Sequence, residues 1–150
     1  MDFSDIEFTA IDFESTGFGD DGTDEAIQIG LATMGGMEIQ KESFFRSFIS
    51  PKKSRDIEKS TLCVHRITDL DLENAPKLND LWPIINNALS GKVVVAHGAG
   101  TEKRFLRAFP MHGFKTWIDT LQLARKIMPK VKNHSLGTLI EEIGAVNEIK

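Results

Sequence analysis

The first fifty residues hold three strand-like runs in succession, Ile6–Phe13, Ala26–Met34 and Met37–Ile49, with Gly35-Gly36 marking the turn between the last two. Runs in this order read as an antiparallel meander, which Pro51 closes. The rest of the chain alternates. The basic run Lys52-Lys53-Ser54-Arg55 leads into a short helix predicted from Asp56 to about His65. A second helix is signalled by Leu78, Leu81, Trp82, Ile85 and Leu89 on one face. Asn79 or Asp80 serves as its cap, Pro83 falls in the tolerated first turn and Gly91 ends it. Lys92-Val93-Val94-Val95-Ala96-His97 is a β-branched run suited to a central strand, followed by Gly98-Ala99-Gly100 and a helix from Thr101 to about Phe109. Thr116–Asp119 is a last short strand. Helices follow from Thr120 to Met128 and from Asn133 to Ile143, the latter with Leu136, Leu139, Ile140 and Ile143 as its apolar stripe and Gly144 as its stop. No repeat, linker or low-complexity tract interrupts this pattern, so the sequence reads as a single domain over residues 1–150.

Composition narrows the classes. A hydrophobic content of 41% and a charged content of 27% are ordinary for a soluble globular protein. The N-terminus is acidic where a signal peptide would be basic, and no apolar stretch approaches the ~20 residues needed to span a bilayer. The single cysteine, Cys63, rules out an internal disulfide and fits an intracellular, cytoplasmic setting with no membrane partner. A net charge of −4 argues against coating duplex DNA by bulk electrostatics. It leaves room for an enzyme that grips a few nucleotides through metal ions.

At the end of the first run, Asp12-Phe13-Glu14-Ser15-Thr16-Gly17 places two carboxylates two positions apart. In a strand, residues i and i+2 share a face, so Asp12 and Glu14 project side by side. Like charges that close repel, and stay ionised cheaply only with something positive between them. A divalent metal meets that need, because magnesium or manganese takes carboxylate oxygens and leaves positions for phosphate oxygens. A solvated strand end would carry the same pair, and the pair alone leaves both readings open. Further on, Glu102 shares a helical face with Phe105, Leu106 and Phe109, the face that must lie against the sheet. An acid in a first helical turn suits the helix dipole. A carboxylate leaning toward the carboxyl ends of the central strands also suits a ligand site at that edge.

The residues resemble a known family. Asp12-Phe13-Glu14-Ser15-Thr16-Gly17 is similar to D-x-E-T-T-G, the first motif of the DnaQ-like DEDD exonucleases of DEDDh type, the group that includes the proofreading epsilon subunit of bacterial DNA polymerase III. Val64-His65-Arg66-Ile67-Thr68 resembles V-H-G-I-T, and Val94–Ala99 through Phe105-Leu106 resembles the second motif, V-A-H-N-A-x-F-D-x-x-F-L. Ile118–Leu121 through Ala124-Arg125 is similar to I-D-T-x-x-L-A-R, and His134-Ser135-Leu136 through Leu139 to H-x-L-x-x-L. Five segments in order cover nearly the whole chain.

The resemblance implies an RNase H-like α/β fold, with a mixed five-stranded sheet (antiparallel meander followed by parallel strands) flanked by helices. It implies 3′–5′ exonuclease activity by two-metal-ion phosphodiester hydrolysis, with two Mg2+ or Mn2+ ions in the complete site. Asp12 would bridge the two ions, Glu14 would bind one, and Glu102 occupies the second motif's aspartate position. Thr16 and Gly17 would approach the terminal nucleotide through their backbone. His65 falls where the family touches the end of the substrate, although a histidine near a helix C-terminus also suits the dipole. Asp119 reads as a helix cap and His97 as a group that orients backbone. The implied partner is a single-stranded nucleic-acid 3′ end, with DNA favoured over RNA, and a DNA polymerase subunit is admissible beside it.

The departures bear on activity. Gly98 stands where the family has asparagine, and Thr101 where it has phenylalanine. Glu102 adds a methylene to a ligand position, where distances matter to ~0.2 Å. The third motif, H-x-A-x-x-D, supplies a general-base histidine and the last aspartate from a helix, and no such spacing follows His134 in these residues. Two expectations result. Either the chain is an exonuclease domain without its C-terminal helix and impaired in this form, with an exposed apolar patch where that helix belongs. Or it is a catalytically inactive exonuclease-like module, nucleic-acid-binding or polymerase-associated, with Lys103, Arg104, Arg107, Arg125, Lys126, Lys130 and Lys132 as candidate phosphate contacts.

Overall fold

Alternation along β1 (Glu7–Ser15) turns Thr9, Ile11 and Phe13 to a buried face and Ala10 and Asp12 to an open one. This is a computed structural model, and it describes residues 3–17, 23–36, 38–52, 57 and 59–144. β1 pairs antiparallel with β2 (Ala26–Gly35), which pairs antiparallel with β3 (Glu38–Phe48). On its other edge β1 runs parallel to β4 (Val93–Ala96), and β4 runs parallel to β5 (Trp117–Asp119). The sheet order is therefore β3-β2-β1-β4-β5, the mixed five-stranded arrangement expected. Asp12 lies opposite Gly30, and the register shifts between Glu14 and Ser15, where the strand leaves the ladder.

The buried face is covered by two helices. Ile85 and Leu89 of α3 (Trp82–Leu89) and Phe105 and Leu106 of α4 (Gly100–Leu106) join Ile11, Phe13, Ile29, Leu31 and Val94 of the sheet in one core. Thr9 is fully buried there, but its hydroxyl donates to the Ala88 carbonyl at 2.9 Å and stands 3.1 Å from that of Thr33, so no polar atom is stranded. A smaller cluster of Ile27, Ile67 and Leu72, backed by Phe48 and Ile57, flanks α1 (Lys59–His65) in sequence and holds the single turn α2 (Asp69–Leu72) through Leu72. Two further helices, α5 (Thr120–Ile127) and α6 (Leu136–Glu142), complete the described elements of this class.

Local chemistry accounts for where the sequence reading and the structure differ. The first predicted helix is described only from Lys59; Asp56 lies outside the described residues. Residues 78–81 form a 3-10 turn before α3, and neither Asn79 nor Asp80 caps the α-helix: its N-cap is Leu81, while the Asp80 carboxylate accepts the Lys77 N–H at 3.1 Å. The helix predicted over 133–143 begins at Leu136, because Ser135 caps it by accepting the Thr138 N–H. Of its apolar stripe only Leu139 is buried; Leu136 is 54% exposed and Ile143 64%. The turn α2 has no counterpart in the sequence reading. It is started by Asp71, whose carboxylate accepts both the N–H and the hydroxyl of Thr68.

The core on the α3–α4 side should dominate stability. Leu106→Ala is expected to cost about 3 kcal/mol and Leu136→Ala less than about 1 kcal/mol, measured by urea unfolding.

Candidate active site

The carboxyl ends of β1 and β4 lie side by side because the two strands are parallel, and this edge collects the acidic residues. Asp12 and Glu14 come from β1. Glu102 comes from the first turn of α4, which leaves β4 through Gly98 and Ala99. Glu102 is only 4% exposed, and its Oε2 is buried with no hydrogen-bond partner among the described residues. Burial is the main force that pushes its carboxyl up to about 7. The backbone N–H groups of Glu102 itself and of Phe13 pull against it, and the charges of Asp12 and Asp119 add to it. Asp12 and Glu14 are raised as well. For Asp12 burial acts against nearby His97; for Glu14 burial and Asp12 act against nearby His65. Asp12 therefore couples to both Glu14 and Glu102, and all three acids are displaced toward the neutral form. Among the described residues no three His, Cys, Asp or Glu side chains are already drawn together as a closed metal cage.

Asp119 is an acid of opposite character. It caps α5, its carboxylate accepting the N–H groups of Leu121 and Gln122 at 3.0 and 3.1 Å. It also accepts those of Gly98 and Ala99, at 3.1 and 3.0 Å, tying the turn after β4 to the start of α5. Burial alone would raise its carboxyl, but the backbone donors outweigh it and hold it below the usual range. The expectation that Asp119 is structural is met. Gly98 itself sits at φ 83°, and a Cβ there would meet the Leu121 side chain at 3.4 Å, so glycine suits this turn. His97 is likewise committed: Nε2 donates to the His134 carbonyl at 2.8 Å, and Nδ1 lies 3.0 Å from the Thr120 hydroxyl.

The remaining sequence candidates divide. His65 is beside Glu14, with Nδ1 accepting the Ile67 N–H at 2.9 Å and a buried, unpartnered Nε2. In a neutral ring the proton is then on Nε2, a donor without an acceptor. Thr16 is 4% exposed; its N–H donates to the Glu25 carbonyl and its Oγ1 accepts the Glu25 N–H, both at 3.0 Å. Its N–H is thus engaged within the fold. Gly17 is buried, with its carbonyl accepting the Ser15 hydroxyl at 2.5 Å.

Sequence reasoning missed one contributor. Arg104, read there as a candidate phosphate contact, forms a bidentate pair with Asp24, with Nη2 to Oδ2 at 2.8 Å and Nη1 on Oδ1. The Asp24 side chain is 3% exposed, and the Arg104 guanidinium lies 4.4 Å from the centre of the Phe105 ring. Phe105 in turn meets Phe13 at 5.3 Å, so the pair braces α4 against the strand segment between the two β1 acids. The available signal was Asp24 standing at the entry of an apolar strand, where an unpaired carboxylate is costly. Lys103 is also engaged, over the Trp117 ring at 5.1 Å.

The model of the RNase T exonuclease family matches residues 9–148. The chain belongs to the exonuclease family. This exonuclease domain is 33% identical over 147 residues to the PolC-type DNA polymerase III of Thermotoga maritima, covering 95% of the chain and 10% of that relative. It is 28% identical over 144 residues to a DNA polymerase III subunit epsilon-like protein of Rhodobacter capsulatus, covering 93% of the chain and 20% of the relative. It therefore spans only a small part of either protein. Among solved structures, it superposes on the nuclease domain of 3'hExo, a DEDDh family member bound to rAMP, with a TM-score of 0.74 at 15% identity. That superposition covers 96% of the exonuclease domain and 82% of the other. A 3'-exonuclease recognising the 3' end of histone mRNA stem-loop gives a TM-score of 0.75 at 14% identity, covering 95% and 72%. These likenesses establish the RNase H-like fold.

The raised Glu102 carboxyl gives a measurable stability signature. The folded protein holds this proton more tightly than the unfolded chain, so the associated stability is present below about pH 4.5 and is lost as pH rises through about 7. In chelator, the free energy of unfolding should fall by about 3 kcal/mol over that window. Glu102→Gln should flatten the profile, and an unchanged slope in that variant would assign the loss elsewhere.

Proposed function

We propose that this domain is a metal-dependent 3′–5′ exonuclease acting on single-stranded DNA ends, with Asp12, Glu14 and Glu102 as its metal ligands. The observation that carries the reading is Glu102: a carboxylate buried beside Asp12 with one oxygen left unpartnered is costly unless a cation shares the space. The donor set suits magnesium or manganese, since all three groups offer carboxylate oxygen and their mutual repulsion would be relieved by positive charge. When bound, two such ions neutralise the phosphate and stabilise the attacking and leaving oxygens. The protein's own share is placement. β1 fixes Asp12 and Glu14 on one face, the Arg104–Asp24 pair braces the helix that carries Glu102, and the Nε2–H of His65 is a donor for the terminal nucleotide.

A groove of about 740 Å³ runs along the open face of the sheet beside Asp12, lined by Ala10, Ala32, Phe44, Val95 and Leu136 among others, with Phe44 60% exposed. Apolar side chains make up much of its wall. A helix bearing the third motif, laid in this groove, would bring a general base and a fourth carboxylate to Asp12. The base is needed because the other rings are spent: His97 as described, His112 accepting the Phe114 N–H at 3.3 Å, and His134 3.0 Å from the Met128 carbonyl. The same observation favours a second reading, a nucleic-acid-binding module with little or no hydrolysis. The polymerase relatives support a role in proofreading beside a DNA polymerase.

A 3′-end series on labelled single-stranded DNA with manganese tests the two readings. The chain should shorten the strand from its 3′ end, slowed by about 10²–10⁴-fold relative to an enzyme that has its base. Asp12→Ala should yield no product, and identical product from chain and variant would overturn the enzymatic reading.

A further inference from the structure

We propose that Arg66 is a phosphate-binding residue for the strand entering the Asp12–Glu14–Glu102 site, retained in a conformation that its side chain disfavours; this rests on reading that site as a nuclease centre. α1 ends at His65, and the N–H of Arg66 donates to the Leu62 carbonyl at 2.9 Å to close the last turn. The residue that makes this closing bond adopts the left-handed region, at φ 59°. Every other described residue with positive φ is a glycine: Gly36, Gly91, Gly98 and Gly144. A Cβ is strained in this region, and arginine has none of the local hydrogen bonding by which asparagine or aspartate tolerate it. Such an outlier in a turn next to a candidate site points to function.

The surroundings supply the second part. His65, the preceding residue, stands beside Glu14 with its buried Nε2 unpartnered, so the turn borders the acidic edge. Arg66 is exposed and makes no ion pair or side-chain hydrogen bond with any described residue. The acid at the nearby turn, Asp71, is occupied by Thr68. Three cations elsewhere on the sheet and on α4 are engaged: Arg104 by Asp24, Lys103 over Trp117, and Lys92 at 3.9 Å from Glu7. A polyanion approaching three carboxylates on a chain of net charge −4 needs positive charge at the entrance, and a guanidinium pairs with phosphate oxygens in a bidentate fork.

Three variants separate charge from backbone. Binding of a labelled single-stranded DNA in calcium is followed by anisotropy across a salt series, alongside thermal unfolding of the same proteins. Arg66→Gly should raise the melting temperature yet weaken binding about tenfold and lower the salt slope by about one. Arg66→Ala should weaken binding equally without the gain in melting temperature, and Arg66→Lys should keep the slope. Wild-type affinity and slope in both the glycine and alanine variants, or no binding by the wild-type chain, would overturn the assignment. Manganese-dependent cleavage by the wild-type chain reports separately on the nuclease reading. Arg66-dependent binding without cleavage sinks that reading and sustains this one, and cleavage with Arg66-independent binding does the reverse.

Discussion

Parallel pairing of β1 with β4 is the constraint on which the rest depends. Antiparallel neighbours end at opposite edges of a sheet, whereas parallel neighbours end at the same one. β1 has an antiparallel partner on one side and a parallel partner on the other. Only the second relation brings the acids of the first strand to the helix that follows β4, although the chain between them passes through the rest of the meander and three helices. The β-branched character of Val93, Val94 and Val95 favours that inner strand position, and α3 and α4 seal the face beneath it.

The edge then shows how the same functional group takes opposite roles. Asp119 is surrounded by backbone N–H groups that favour its charge, and it serves as a joint between β4, α4 and α5. Glu102, a short way off, has apolar neighbours and other acids, and its charge is disfavoured. Donors make an acid structural; their scarcity leaves it displaced toward its neutral form. Folding energy is thus gained at one carboxylate and withheld at the other.

Much of this was legible in the sequence because it rests on period and punctuation. The meander, the valine strand and Gly144 after α6 follow from alternation and turn residues, and the five ordered segments carried the fold. The strand spacing alone put Asp12 and Glu14 on one edge. What was not legible depends on contacts between distant segments. Nothing local in Arg104 distinguishes a phosphate ligand from a partner of Asp24, and the Thr16 N–H could not be seen to be spent on Glu25. The V-H-G-I-T resemblance puts Arg66 at a glycine position, yet the sequence alone does not show that the chain keeps the left-handed conformation there with arginine in place. The cap of α3 was misplaced because Asp80 serves a 3-10 turn that periodicity does not resolve.

The two-way bond between Thr16 and Glu25, with Asp24 locked onto Arg104 beside it, closes the segment from 17 to 24 at its base. These bonds tie the end of β1 directly to the start of β2 and to α4, so the placement of the β1 acids rests on residues 16, 24, 25 and 104. Loosening any one of these anchors would therefore be felt at the strand end that carries Glu14, well before it was felt in the α3–α4 core.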